Sequence, residues 1–197
     1  MKLYGSIASP YVRLCRLAAD VRGLDLPLAV TNPIEDQDFR RTNPLGKVPA
    51  LILDDGSLLP DSGVILRFLD EQGEASSLYT RGGLRRFETD ALVGLATGVL
   101  DLGVAWLLEA RRPAPEQSPT WQERRRKGMG AGLAAMEERA ADLPSDAGLV
   151  DLAFAAACDW LAFRQPEVDW RRHERLSARV DAQLATPRFR ATDPRAG

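Results

Sequence analysis

Asn43-Pro44-Leu45-Gly46-Lys47-Val48-Pro49-Ala50-Leu51 leads through a short apolar segment to Asp61-Ser62. The stretch joins a polar loop, a Val-Pro peptide entering an apolar strand, and a carboxylate-hydroxyl pair where a helix should begin. That combination gathers backbone and side-chain groups around a small ligand. A Val-Pro peptide alone usually marks only a trans turn. Between the two ends, Ala50–Leu53 and Ser57–Leu59 flank Asp54-Asp55-Gly56, a strong hairpin signal that predicts two antiparallel strands. Ser62 is then placed to cap a helix with Val64, Ile65, Phe68 and Leu69 on its apolar face.

Working outward toward the N-terminus, Lys2 to Ser6 predicts a strand. Pro10 suits the first turn of a helix in which Tyr11, Leu14, Leu17, Ala18 and Val21 recur at helical spacing, until Gly23 stops it. Leu26 to Thr31 reads as a second strand, with Pro27 at a sheet edge or at the strand's start. Glu35 to Arg41 predicts a short irregular helix. Toward the C-terminus the small and polar residues from Gly73 to Thr80 read as a linker, after which strand signals vanish. Arg85–Arg112, Pro119–Leu143, Leu149–Arg164 and about Trp170–Ala185 predict four helices. Trp121, Met129, Leu133 and Met136 are expected to face the core, and Leu149–Arg164, apolar nearly all round, to be the buried centre of a bundle. Pro187 and Pro194 predict an irregular tail. The sequence thus implies an α/β domain over residues 1–73 (strand-helix-strand, then strand-strand-helix), a linker over 74–80, and an all-helical domain over 81–197.

Composition narrows the function classes. The chain has 197 residues, 45% hydrophobic and 27% charged, and its formal net charge of -2 argues against a broad nucleic-acid surface. Its basic run, Glu123 to Lys127, reads as the solvated face of a helix. No run is expected to approach the roughly 18 apolar residues of a membrane span. Met1 to Gly5 lacks the apolar core of a signal peptide, so a cytosolic protein with no membrane partner is expected. Cys15 and Cys158 lie in apolar helical patterns and are expected to behave as small buried hydrophobes. A single histidine, His173, excludes a His-based triad or a multi-His metal site, and no metal is expected. Glycine-rich nucleotide loops and clustered Cys and His are missing from the sequence, so nucleotide and zinc chemistry lose ground.

What remains are polar groups at loop ends. Ser6 and Ser9 precede a helix whose N-terminus offers unpaired N–H groups and a positive dipole end, which would stabilise an anion or a thiolate. Equally, Ser9 can simply cap its own helix. Asp61 and Ser62 can be a cap, or can clamp the ammonium and carboxylate of an amino-acid end. Lys47 can meet a second carboxylate or be plain surface.

Taken together and in order, Lys2-Leu3-Tyr4-Gly5-Ser6, Ser9-Pro10-Tyr11-Val12-Arg13, Asn43 through Leu51, and Asp61-Ser62 with Ile65 and Leu69 resemble the thioredoxin-like domain of the glutathione S-transferases. The helical remainder resembles their second domain. The resemblance implies a mixed four-stranded sheet followed by a helical bundle, a homodimer, glutathione as co-substrate, and a small hydrophobic electrophile as second substrate. Ser9-Pro10-Tyr11-Val12 sits where glutaredoxins carry Cys-Pro-Tyr-Cys, so Ser9 would hold the glutathione thiolate, with Ser6 and then Tyr4 as rivals. Val48-Pro49 would be the family's cis-proline turn, pairing its backbone with the cysteinyl part. Asp61 and Ser62 would take the γ-glutamyl end and Lys47 the glycyl carboxylate. The second substrate would lie against Tyr11, Val99, Asp101, Leu102 and Trp106. One departure is Gly148-Leu149-Val150-Asp151: relatives often place Ser or Thr three residues before that Asp, and here the hydroxyl partner is missing. A non-catalytic glutathione-binding protein and a glutathione-dependent isomerase or reductase are the alternatives.

Overall fold

The computed structural model describes residues 1–196. The chain forms two compact units, Met1–Leu78 joined by the segment from Thr186 onward, and Tyr79–Ala185. The division falls between Leu78 and Tyr79. The C-terminal segment, expected to belong to the helical domain, packs with the first unit instead.

In the first unit the order is β1 (Lys2–Gly5), α1 (Pro10–Val21), β2 (Leu28–Val30), α2 (Gln37–Thr42), β3 (Ala50–Ile52), β4 (Leu58–Pro60) and α3 (Ser62–Gln72). The sheet order is β2-β1-β3-β4, with β1 parallel to β2 and antiparallel to β3, and β3 antiparallel to β4. Pro27 lies just before β2, where its carbonyl still accepts from Leu3 N–H at 3.0 Å and its missing N–H breaks no ladder bond. Leu3 and Leu51 are paired across the sheet and fully buried. Above them, Val12, Leu14, Leu17 and Ala18 of α1 join Ile65, Leu66 and Leu69 of α3 in the core. Gly5 permits that approach, because a Cβ there would lie 2.4 Å from Val12 Cγ2. The Tyr4 and Phe39 rings stack at 6.0 Å, docking α2.

The segment after α3 is tied down rather than loose. Asp70 accepts from Leu78 N–H at 2.7 Å and from the Ser77 hydroxyl at 2.6 Å. Buried Arg22 lies 3.6 Å from Asp70 and donates to the carbonyls of Gly73 and Ala75. These bonds pair the buried Leu78 N–H and fix the loop between Gly73 and Leu78. The tail is not irregular throughout: Pro187 starts a short helix, α8 (Pro187–Ala191), whose Phe189 is 1% exposed. Proline is compatible with a first helical turn, so it began an element where the sequence pattern implied only a break.

The second unit contains α4 (Arg86–Ala110), α5 (Pro119–Ala140), α6 (Leu149–Arg164) and α7 (Glu174–Leu184), with short 3-10 turns at Arg81–Gly83, Ala114–Glu116 and Trp170–Arg172. Every residue of α6 from Leu149 to Leu161 is buried, as its all-round apolarity predicted. Trp121 is a correction, being 54% exposed with the guanidinium groups of Arg124 and Arg125 over its ring. It sits in the first turn of α5, beyond the buried stripe of Met129, Leu133 and Met136. A second correction concerns α4, which is long and apolar enough to cross a membrane by length and composition, with mean hydropathy 1.9 over an 18-residue stretch. Asp101 interrupts that stretch in sequence, but one charge is too few to lower its average. Within the unit, α4 packs against α5 and α6.

The start of α6 explains the missing hydroxyl cap. Gly148 has φ 59 and ψ -118, a conformation that a serine or threonine side chain would strain. Asp151 instead accepts from Ala147 N–H at 2.8 Å and from Arg179 Nε at 2.8 Å, while Arg179 also donates to Pro144 carbonyl at 2.6 Å. An arginine from α7 thus replaces the local partner.

Candidate functional site

Strand register brings three loops to one end of the sheet. Tyr4 opposes Ala50, so the loop leaving β1 lies beside the residues entering β3; Ala50 opposes Pro60, so the residues leaving β4 lie beside them too. Ser6–Ser9, Val48–Pro49 and Asp61–Ser62 therefore share an edge, although up to 56 positions separate them in sequence.

The first loop is a tight turn. Ser9 N–H donates to Ser6 carbonyl at 3.0 Å, and Ala8 N–H to Ser6 Oγ at 3.3 Å. Ser9 is the N-cap of α1: its Oγ accepts from Val12 N–H at 3.4 Å, and its carbonyl accepts from Arg13 N–H at 3.1 Å. Capping occupies a lone pair of the hydroxyl and leaves its hydrogen as a donor. The cap reading and the thiolate reading are therefore compatible at Ser9, which also stands at the positive end of a 12-residue helix. Ser6 belongs to the turn and caps no helix.

The second loop turns on a residue to which the sequence pattern assigned no role. Asn43, 1% exposed, donates from Nδ2 to Lys47 carbonyl at 2.8 Å and accepts at Oδ1 from Leu45 N–H at 3.2 Å. Its own carbonyl takes Gly46 N–H at 2.9 Å. One side chain thus shapes residues 43–47 and sets the direction in which the chain enters Val48. Asn before Pro-Leu-Gly was the available signal, since asparagine commonly bonds backbone two residues on. The Val48-Pro49 peptide is cis. The N–H and C=O of Val48 make no hydrogen bond among the described residues and are available to a strand-like ligand. Lys47 is exposed, and Pro49 is buried beneath the loop.

The third loop holds an unusual backbone. Asp61 has φ 76, the sole described non-glycine residue with positive φ, and its Oδ1 accepts from Gly63 N–H at 2.8 Å. It is Asp61, rather than Ser62, that caps α3; Ser62 is the first helical residue. A strained aspartate next to free helix N–H groups points to a function beyond capping. Asp61 also faces α1 closely enough to raise the Cys15 thiol pKa, after the larger effect of burial.

Other predicted residues divide. Tyr11 is half-buried in the first turn of α1. On α4, Val99 is buried against α5, where a Cβ on Gly132 would come 2.4 Å from its Cγ2, and Leu102 similarly meets Gly128 at 2.8 Å. Val99 is taken up by helix packing, while Leu102 contacts α5 and is half-buried. Asp101 is exposed and Trp106 half-buried. Cys15 and Cys158 are both buried free thiols, pushed upward in pKa first by burial. His173 lies before α7, its ring nitrogen 3.3 Å from Arg172 Nε. Among the described residues, no group of three or more His, Cys, Asp or Glu side chains is placed to hold a metal ion.

Residues 3–77 match the family described as "Glutathione S-transferase, N-terminal domain". Over 98% of both chains, the protein is 30% identical to the uncharacterized GST-like protein YibF of Escherichia coli K12. It is 31% identical to a maleylacetoacetate isomerase of Pseudomonas aeruginosa, over 98% of this chain and 96% of that one. Among solved structures, a glutathione transferase family member from Pseudomonas fluorescens Pf-5 with bound glutathione superposes with TM-score 0.88 at 34% identity, covering 97% of each chain. A glutathione S-transferase from Methylobacillus flagellatus KT with glutathione bound gives 0.90 at 29% identity, over 97% and 98% of the two chains.

Proposed function

The chain belongs to the glutathione S-transferase family, and from that premise we propose that it binds glutathione along the shared sheet edge and activates its thiol for attack on a hydrophobic electrophile. The observation that carries this reading is the convergence of Ser9, Val48-Pro49 and Asp61-Ser62 on that edge. The open backbone groups of Val48 hold the cysteinyl unit as an added strand. Asp61 pairs with the γ-glutamyl ammonium, Ser62 and the α3 N-terminus take its carboxylate, and Lys47 the glycyl carboxylate. The Ser9 hydroxyl and the N-terminus of α1 then favour the thiolate over a thiol that otherwise titrates near ~8.5. The thiolate sulfur forms a C–S bond to the electrophilic carbon. The electron pair leaves with a leaving group, or enters a polarised double bond that next takes a proton. Rate comes from a larger thiolate fraction and from holding the reactants together.

Similarity to a protein named maleylacetoacetate isomerase favours a second reading, in which the same thiolate adds to a conjugated double bond, allows rotation, and departs. Reduction through a protein mixed disulfide is disfavoured, because Ser9 stands where a cysteine would be required. Large exposed apolar side chains, Ile34, Leu45 and Phe87 among them, are compatible with a homodimer, which sizing against the 21.6 kDa chain tests directly.

Ultraviolet titration of bound glutathione tests the activation step. Thiolate absorbance is expected at a pH where free glutathione shows little, lost in Ser9→Ala and kept in Ser6→Ala. Binding without ionisation, and without turnover on a panel of electrophiles, would reassign the chain as a glutathione-binding protein. Loss in Ser6→Ala alone would move the thiol partner to Ser6.

A further inference from the structure

Arg13 and Phe189 lie 176 positions apart in sequence, yet the guanidinium of Arg13 donates from Nη2 to the Phe189 carbonyl at 2.9 Å. Its Nε donates to Thr192 Oγ1 at 3.2 Å, and the group lies 5.0 Å over the Phe189 ring. Arg13, Phe189 and Thr192 are all buried. The Thr192 hydroxyl donates in turn to Arg188 carbonyl at 2.9 Å, so the atom that receives Arg13 also closes the last turn of α8. Farther along α1, Arg188 Nε pairs with Asp20 at 3.1 Å.

The same Arg13 uses its backbone N–H on the carbonyl of Ser9 at 3.1 Å. It therefore holds the Ser9 loop with its main chain and the C-terminal segment with its side chain. The N-terminal turn of a helix is where its backbone groups lack partners and where fraying starts. A planar guanidinium held by two acceptors has little freedom to shift. A groove of about 200 Å³, lined by Arg16, Ala19, Asp20, Leu24, Arg188 and Thr192 among others, runs along the seam beside the buried Phe189 ring. Burial of Phe189 anchors the tail, and the directional bonds from Arg13 and to Asp20 set its register on α1.

We propose that the segment from Thr186 to Ala196 is a positioning element for the Ser9 loop, acting through Arg13. It fixes the first turn of α1 and so the direction of the Ser9 hydroxyl. The inference rests on the reading of Ser9 as the thiol partner, but its mechanical half can be measured separately.

The experiment compares full-length wild type with Thr192→Val, which is nearly isosteric, Phe189→Ala, and Arg13→Lys, which keeps the charge and loses the two-acceptor fork. Two quantities are read: amide exchange at Val12 and Arg13, and the pH titration of thiolate absorbance with glutathione bound. In the variants, exchange at these two amides is expected to quicken about tenfold, and the thiolate fraction near pH 6 to fall about tenfold. Unchanged exchange in folded Thr192→Val and Phe189→Ala overturns the proposal. So does quickened exchange with an unchanged titration, which would leave the tail a stability element only. If wild type itself ionises no thiol, the reading of Ser9 fails, and exchange alone decides whether the tail fixes the loop.

Discussion

The carboxamide of Asn43 bridges its own loop by donating to the carbonyl of Lys47 at 2.8 Å from a position only 1% exposed. That bond sets where the chain stands as it enters the cis Val48-Pro49 peptide, and therefore where the open backbone groups of Val48 point.

Replacing Asn43 with alanine removes two side-chain hydrogen bonds and leaves the Lys47 carbonyl and Leu45 N–H without their partner. Unfolding free energy should fall by about 1–3 kcal/mol in urea titration. Glutathione affinity by calorimetry should fall with it, although Asn43 is assigned no contact with the ligand. Unchanged affinity in a destabilised variant would show that the loop's shape is set elsewhere.

Asp61 combines a positive φ with a carboxylate, and these two properties can be separated. Asp61→Asn keeps an acceptor for Gly63 N–H and a residue type that tolerates positive φ, while removing the charge. Glutathione should bind roughly 10- to 100-fold more weakly, the scale of a lost hydrogen bond to a charged group. The dipeptide Cys-Gly, which lacks the γ-glutamyl end, should bind wild type and variant alike. Equal losses for both ligands would remove Asp61 from the ammonium-binding role.

Restoring a hydroxyl cap to α6 should harm the protein rather than help it. Gly148→Ser supplies the side chain that relatives often carry three residues before the aspartate, but at φ 59 and ψ -118 it strains the backbone by about 1–3 kcal/mol. A higher melting temperature for Gly148→Ser would mean that the α6 start can relax into the alternative cap.

Acid should loosen α2 before the rest of its unit. The Asp36 carboxyl is held below its ordinary value, first by the Thr31 hydroxyl and then by Phe39 N–H. Because the folded value is depressed, this contribution is fully present above the unfolded value near ~3.9 and is lost as pH falls through the folded one. The protection factor at Phe39, which divides out the intrinsic pH dependence of exchange, should therefore fall below about pH 4 in wild type, whereas in Asp36→Asn, which cannot titrate, it should stay level. Matching profiles would assign the acid sensitivity to another group.

The strand-helix-strand and strand-strand-helix order, the hairpin at Asp55-Gly56, and the buried α6 were legible in the sequence, because period, turn residues and apolar content are local properties. Ser9, Val48-Pro49 and Asp61-Ser62 were legible as loop residues flanking strands, and register then brought them to one edge. Trp121 was misread because helical spacing assigns a face without showing where a neighbouring helix ends. Val99 and Leu102 carried the same ambiguity: both meet glycines of α5, Gly132 and Gly128, and Val99 is buried there while Leu102 is only half-buried.

By itself, the sequence determined the helices and strands up to α7 and which polar groups stand at loop ends, since those depend on neighbours a few positions away; α8 escaped it. Only the tertiary structure decided what meets across the chain. Arg179 stands in for the absent cap of α6, Asn43 shapes the loop before Val48, and the tail reaches Arg13. Each of these satisfies a buried or terminal polar group with a partner that neither periodicity nor composition identifies. The need to pair such groups away from water is local, but the partner is chosen by the fold.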